Sequence, residues 1–151
     1  MDKLNFIKTG FPKLLQNLNP EAKGAWGVMN GQQMVEHMAD AISQATGENT
    51  LKLHTAPDLV ERYKSFAMSD KEFKPNTPNA LLSDIPKPLV KANIQEAINA
   101  YNDKVAAFIM YFETNKGSVI MNPIFGDLNF EEWTHLFHKH SVHHAKQFGL
   151  L

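Results

Sequence analysis

Residues 129–149, NFEEWTHLFHKHSVHHAKQFG, hold five of the chain's seven histidines and carry the signals of one helix. Asn129 is a good N-cap, and Glu132 three residues later completes a capping box. Gly149 follows the last apolar residue and suits a left-handed C-terminal cap. At about 100° per residue, Trp133, Leu136, Phe137, His140, His144, Gln147 and Phe148 fall within one stripe. His140 and His144 lie near its centre, one turn apart, where leucine would be expected. His135, His138, Lys139, Val142 and Lys146 fall on other faces, and His143 lies at the flank. An i, i+4 pair of imidazoles can aim two nitrogens at one point, as a divalent metal requires. Two plainer readings stand beside it: buried histidines that only hydrogen-bond, and a histidine-rich face turned to water.

The totals bound the chemistry. With 151 residues, 43% hydrophobic and 21% charged, the chain has the size and composition of one globular domain, 1–151, with a real core. A net charge of −1 offers no basic field for nucleic acid or an anionic membrane. There is no cysteine, so disulfides, thiolate ligands and a cysteine nucleophile are excluded together. Any metal must be held by His, Asp or Glu, and any reactive thiol must arrive with a substrate. MDKLNFIKTG lacks a signal peptide's apolar core and no run approaches membrane-spanning length, so a soluble cytoplasmic protein is expected.

Earlier in the chain, Leu4, Ile7, Phe11, Leu14, Leu15 and Leu18 recur at helical spacing, with Gly10 and Pro12 predicting a kink or a helix start near Thr9. Asn30 with Gln33 caps a second helix, which Gly47 closes. Its buried face is Met34, Val35, Met38, Ala41, Ile42 and Ala45, and His37 lies at the edge of that face. A lone histidine there most simply reads as a satisfied, half-buried side chain. Prolines punctuate residues 47–92, where a short helix over 58–68 is expected inside an irregular crossover, a strap or the cover of a pocket. His54 falls here without a role. Asn93 with Glu96 reads as another capping box, opening a long helix to about Thr114 whose stripe runs from Ile94 to Phe112. SVIMNPIFGDL, residues 118–128, reads as a short link with turns at Asn122-Pro123 and Gly126-Asp127. No alternating strand pattern is sustained. The expected architecture is all-α: four main helices in an up-and-down bundle, with one long crossover between helices 2 and 3.

Trp26-Gly27-Val28-Met29 running into Gln33-Met34-Val35-Glu36-His37, then Asn122-Pro123-Ile124-Phe125-Gly126-Asp127-Leu128, then Glu132-Trp133 through His140, His143-His144 and Gln147-Phe148-Gly149, resemble the DinB/YfiT-like superfamily, in its branch of small, uncharacterised bacterial proteins. The resemblance spans the chain, with little from the crossover. It implies a four-helix bundle holding a divalent metal (zinc, nickel or iron) on three histidines, one from the second helix and two spaced HxxxH on the last. Those positions are His37, His140 and His144 here. Similar sequences often carry His where this chain has Asn122; that position is not one of the three ligands. Family members of known activity are metal-dependent transferases or isomerases using small thiols.

Three neutral ligands leave a metal its full charge and an open position, the pattern of catalytic rather than structural sites. The first functional reading is therefore a metal-dependent transferase or hydrolase acting on a small molecule, with a small thiol as cosubstrate. Gln147 is placed to orient a ligand or a neighbouring histidine. Trp133, Phe137, Met34 and Met38 are candidate pocket walls, each equally readable as core. No clear general base is visible; Glu36 is a weak candidate, rotated about 100° from His37. The second reading is a non-catalytic metal-binding or structural bundle, in which His135 and His138 are simply surface. An enzyme needs a cavity reaching the metal; a staple is filled by packed side chains. Related bundles often pair, which leaves a monomer and a homodimer both open. Nucleic-acid binding is disfavoured by the charge and the lack of a basic-aromatic patch.

Overall fold

The computed structural model describes residues 2–77 and 85–151. The fold is mostly helical. Helix α1 is continuous through three segments, Lys3–Asn5, a π turn Phe6–Gly10, and Phe11–Leu15. No new helix starts near Thr9; the irregularity expected at Gly10 and Pro12 takes the form of the π turn. Pro12 has no N–H and its ring crowds the carbonyl four residues back in a regular helix. The wider turn moves that carbonyl aside, with the Phe11 N–H bonding to Phe6 O. Ile7, Phe11 and Leu15 therefore stay on one buried face.

Helix α2, Gly31–Ser43, opens on the full Asn30/Gln33 capping box. It buries Met34, Val35, Met38, Ala39 and Ile42 and ends in turns that reach Gly47. Gly47 takes φ +77, and a Cβ there would meet the Tyr111 ring at 2.4 Å. Helix α3, Val60–Met68, lies within the crossover. Helix α4, Ile94–Thr114, buries Ala97, Ile98, Tyr101, Val105, Phe108 and Phe112. Its N-cap is half of what was expected. Asn93 accepts the Glu96 N–H at 2.9 Å, but the Glu96 carboxylate turns to the Ala92 N–H at 3.3 Å instead of back to Asn93.

The link at 118–128 is a β-hairpin, which corrects the all-α expectation. Strands β1, Ile120–Asn122, and β2, Gly126–Leu128, pair antiparallel with Ile120 opposite Leu128. Three-residue strands are too short to show an alternating pattern, but their turn is chemically marked. The Asn122 side chain accepts from the N–H groups of Ile124 (2.9 Å) and Phe125 (3.0 Å). Asn122 thus organises the turn. Helix α5, Phe130–Gln147, follows at once, opened by the full Asn129/Glu132 capping box.

Helix α2 lies along α4, the most extensive helix pairing, while α5 meets α1, α2, α3 and the hairpin. Phe11, Tyr101, Phe108, Trp133 and Phe137 form an aromatic centre, with Phe108 edge-on to Phe137 at 5.3 Å and Phe11 edge-on to Tyr101 at 5.5 Å. The Tyr101 hydroxyl donates to Ile7 O at 3.0 Å, tying α4 to the π turn. The later crossover is fastened to the outer face of α2. Glu36 accepts the N–H groups of Val90 (2.9 Å) and Lys91 (2.6 Å), and Gln32 and Gln33 donate to Lys91 O and Lys87 O. Residues 78–84 of the expected crossover lie outside the described residues. No described helix is long and apolar enough to cross a membrane.

Candidate metal centre

Helices α2 and α5 bring His37, His140 and His144 together, each offering one ligand atom, all within 4.8 Å of one another. His140 Nε2 lies 3.1 Å from His37 Nε2 and 2.9 Å from His144 Nε2. Ligands about 2.0–2.1 Å from a tetrahedral zinc lie roughly 3.3 Å apart, so the spacing is close to a ligand set's. The outer partner of His144 assigns its tautomer. Gln147 Nε2 donates to Trp26 O at 2.8 Å, which leaves Gln147 Oε1 as acceptor 2.6 Å from His144 Nδ1. His144 therefore carries its proton on Nδ1, and its Nε2 is a bare lone pair aimed at His140.

That assignment exposes a conflict. His140 Nε2 carries at most one hydrogen and has two nitrogen neighbours. If the hydrogen points to His144, the same nitrogen has no lone pair left to accept from His37. If Nε2 is bare, it faces the bare His144 nitrogen at 2.9 Å. Neutral imidazoles alone cannot satisfy both contacts, whereas a cation held by all three nitrogens would. The donor set thus fits a divalent ion.

Burial holds these imidazoles unprotonated. It pushes His37 down to about 4, with Asp40 opposing and Lys87 and His143 adding to the fall, and His144 down to about 3, with His37 and His143 adding and the Gln147 bond opposing. Burial lowers His140 well below the ordinary histidine value, and His144 and His37 add to the effect. The sign for stability follows. The folded chain stays neutral where the unfolded chain takes up protons, so the full stability holds above pH 6.5 and falls as the pH drops toward about 4 and then about 3. Each such histidine contributes up to about 1.4 kcal/mol per pH unit in that window. Denaturant unfolding of chelator-treated protein is expected to show a lower midpoint at pH 5 than at pH 7.5; equal midpoints would contradict it.

The other expected residues fall as follows. Gln147 is buried and bonded to His144, and the Gly24–Gly27 loop packs directly on it, since a Cβ at Gly24 or Gly27 would approach its side chain to 2.8 Å. Gln147→Leu removes the acceptor from His144 and is expected to weaken zinc binding about 10- to 100-fold without changing stoichiometry; a competition titration reads it. Met34, Met38, Trp133 and Phe137 are fully or almost fully buried in the core. The Trp133 ring lies 5.1 Å from Phe137, and its Nε1 donates to Ile120 O. Glu36 is committed to the crossover amides, which withdraws it as a base.

Periodicity alone missed a second face of α5. Lys139, expected away from the core, is 8% exposed and donates to Phe66 O, Ala67 O and Ser69 O at 3.0–3.2 Å. His135, read as surface, bonds to Ser69 O through Nε2 and accepts from Lys3 Nζ through Nδ1. Only its spacing from Lys139 and His143, i, i+4, i+8, could have marked this face as a unit. A groove of about 410 Å³ runs beside it, lined by Lys3, Trp26, Phe73, His138, Lys139 and His143 among others. The three metal-site histidines do not line this groove. Trp26 and Phe73 stand edge-on to His143, at 5.3 and 6.2 Å, and Phe73 is 6.5 Å from His140. No family model, curated protein or solved structure matches the chain.

Proposed function

We propose that the chain is a DinB/YfiT-like four-helix-bundle protein of the bacterial cytoplasm that holds a divalent ion (zinc, nickel or iron) on His37, His140 and His144. The observation that carries this reading is the convergence of three Nε2 atoms whose hydrogen bonds cannot all be satisfied without a cation. On this reading α1, α2, α4 and α5 are the bundle helices, and α3 is part of the crossover. An ion held by three neutral imidazoles keeps its double charge and an open position, the chemistry of Lewis-acid activation. The chain's own part is to keep the three imidazoles neutral by burial and to fix His144 through Gln147 and Trp26 O. The activity proposed is transfer to or from a small thiol, or hydrolysis of a small molecule.

The non-catalytic metal-binding reading is favoured by one observation: none of the three histidines lines the groove, whose Phe73 and His143 rings touch His140 and His144 in their place. Elemental analysis of untagged protein decides the common ground, since absence of metal after incubation with zinc, nickel and iron would refute the site. Cobalt-loaded protein then separates the readings. A thiolate-to-cobalt absorption band on adding 2-mercaptoethanol supports thiol chemistry, and an unchanged spectrum favours the non-catalytic protein.

A further inference from the structure

The second face of α5 is organised around one short piece of chain. His135, Lys139, His143 and Lys146 all grip the stretch from Phe66 to Phe73. Lys139 Nζ places its three N–H groups on Phe66 O, Ala67 O and Ser69 O, at the C-terminal end of α3. The same ammonium lies over the rings of Phe66 and Phe73, 4.7 and 5.0 Å from their centroids. His135 Nε2 donates to Ser69 O, His143 Nδ1 to Phe73 O, and Lys146 pairs with Glu72.

Burying an ammonium is unfavourable unless every donor is satisfied, and an apolar side chain of similar length would fill the same space. What the lysine adds is direction: three carbonyls on one nitrogen set the position of Phe66–Ser69, and the Phe73 ring under the same ammonium and the His143 bond to Phe73 O carry that position on to Phe73. In that position Phe73 presents its edge to His140 and His143, at interplanar angles of 85° and 80°. Phe73 thus both lines the groove and touches His140, while His37 and His140 themselves are half-buried.

We infer that Ser69–Phe73 is a shutter between the groove and the three-histidine site, and that Lys139 is the positioning residue that latches it shut. Its consequence, control of what reaches the ion, rests on the metal-site reading. The existence of the shutter does not.

The test therefore begins without metal. Chelator-treated protein is labelled with diethyl pyrocarbonate, and the modification of His140 is followed by mass spectrometry relative to the exposed His54. Phe73→Ala and Lys139→Met are expected to raise labelling of His140 about tenfold or more, the change that loss of a charge-assisted hydrogen bond makes to an opening equilibrium. Gly47→Ala is the control, because it strains the α2–α4 contact at Tyr111 and loosens the fold without touching the shutter. Unchanged labelling in the two shutter variants, or an equal rise in Gly47→Ala, would overturn the inference. A second arm loads zinc and times its transfer to excess chelator. Faster transfer in Phe73→Ala at unchanged zinc stoichiometry supports the shutter, and an unchanged rate opposes it. A parent protein that takes up no zinc would sink the metal reading, and the labelling arm would still decide the shutter.

Discussion

His140→Ala is expected to weaken zinc binding by two orders of magnitude or more, and to leave the metal-free protein as stable as the parent or slightly more so. The first effect follows from ligand loss. Four-ligand structural zinc sites are worth about 10–16 kcal/mol, so one ligand accounts for about 3 kcal/mol or somewhat more, and each 1.4 kcal/mol is tenfold. The second follows from the protonation conflict. His140 sits between two imidazole nitrogens at 2.9 and 3.1 Å and can satisfy only one. Removing it takes away an unsatisfied contact along with a satisfied one. With zinc at a hundred times the parent's dissociation constant, the parent gains about 2.7 kcal/mol and the variant at most about 0.4 kcal/mol. Denaturant unfolding with and without zinc, run beside isothermal titration, reads both effects. A histidine cluster that served only as a hydrogen-bonded staple would give the opposite pattern: stability lost in the absence of metal, and no difference on adding it.

Trp133→Ala is expected to lower stability by about 3–5 kcal/mol. The indole is fully buried, packs on Phe137 at 5.1 Å, and donates from Nε1 to Ile120 O. Truncation opens a cavity in the aromatic centre and leaves a buried hairpin carbonyl without its donor. For a chain of this length each kcal/mol shifts the melting temperature by roughly 2–4 °C, so a fall of about 10 °C is expected in calorimetry. Zinc affinity measured well below the transition should stay near the parent's. If affinity fell more than tenfold in the folded variant, Trp133 would be a wall of the metal pocket instead of a core anchor.

Legibility from the sequence followed the range of each signal. The second, fourth and fifth helices were readable because caps and stripes are local: Asn30, Asn93 and Asn129 sit at their starts, and the apolar spacing of Ile94 to Phe112 is long enough to show its period. The meeting of His37 with His140 and His144 was readable only in part. Facing angles put His140 and His144 on the buried stripe of their helix and His37 at the edge of its own, and the pairing itself came from resemblance. The hairpin was hidden by its three-residue strands, and the unbroken α1 by a π turn that no residue type announces. Lys139 was placed on the wrong side of the burial line because its partners are carbonyls at the end of another helix. Nothing in the lysine's own neighbourhood along the chain encodes them.

The two full capping boxes have a consequence for how this chain tolerates insertions and deletions. Asn30 precedes His37 by seven residues and Asn129 precedes His140 by eleven. At 3.6 residues per turn these are about two and about three whole turns, so each histidine stands nearly in phase with the cap that starts its helix. Length between a cap and its histidine is therefore measured in rotation. One residue inserted between Glu132 and His140 would keep the helix and swing His140 and His144 by about 100°, away from His37. A whole heptad would return them almost to the same direction but displace them by about 10 Å along the axis. Changes in length that keep the three histidines together must therefore fall outside the intervals from cap to histidine, and the interval from Asn129 to His144 acts as a ruler of fixed length.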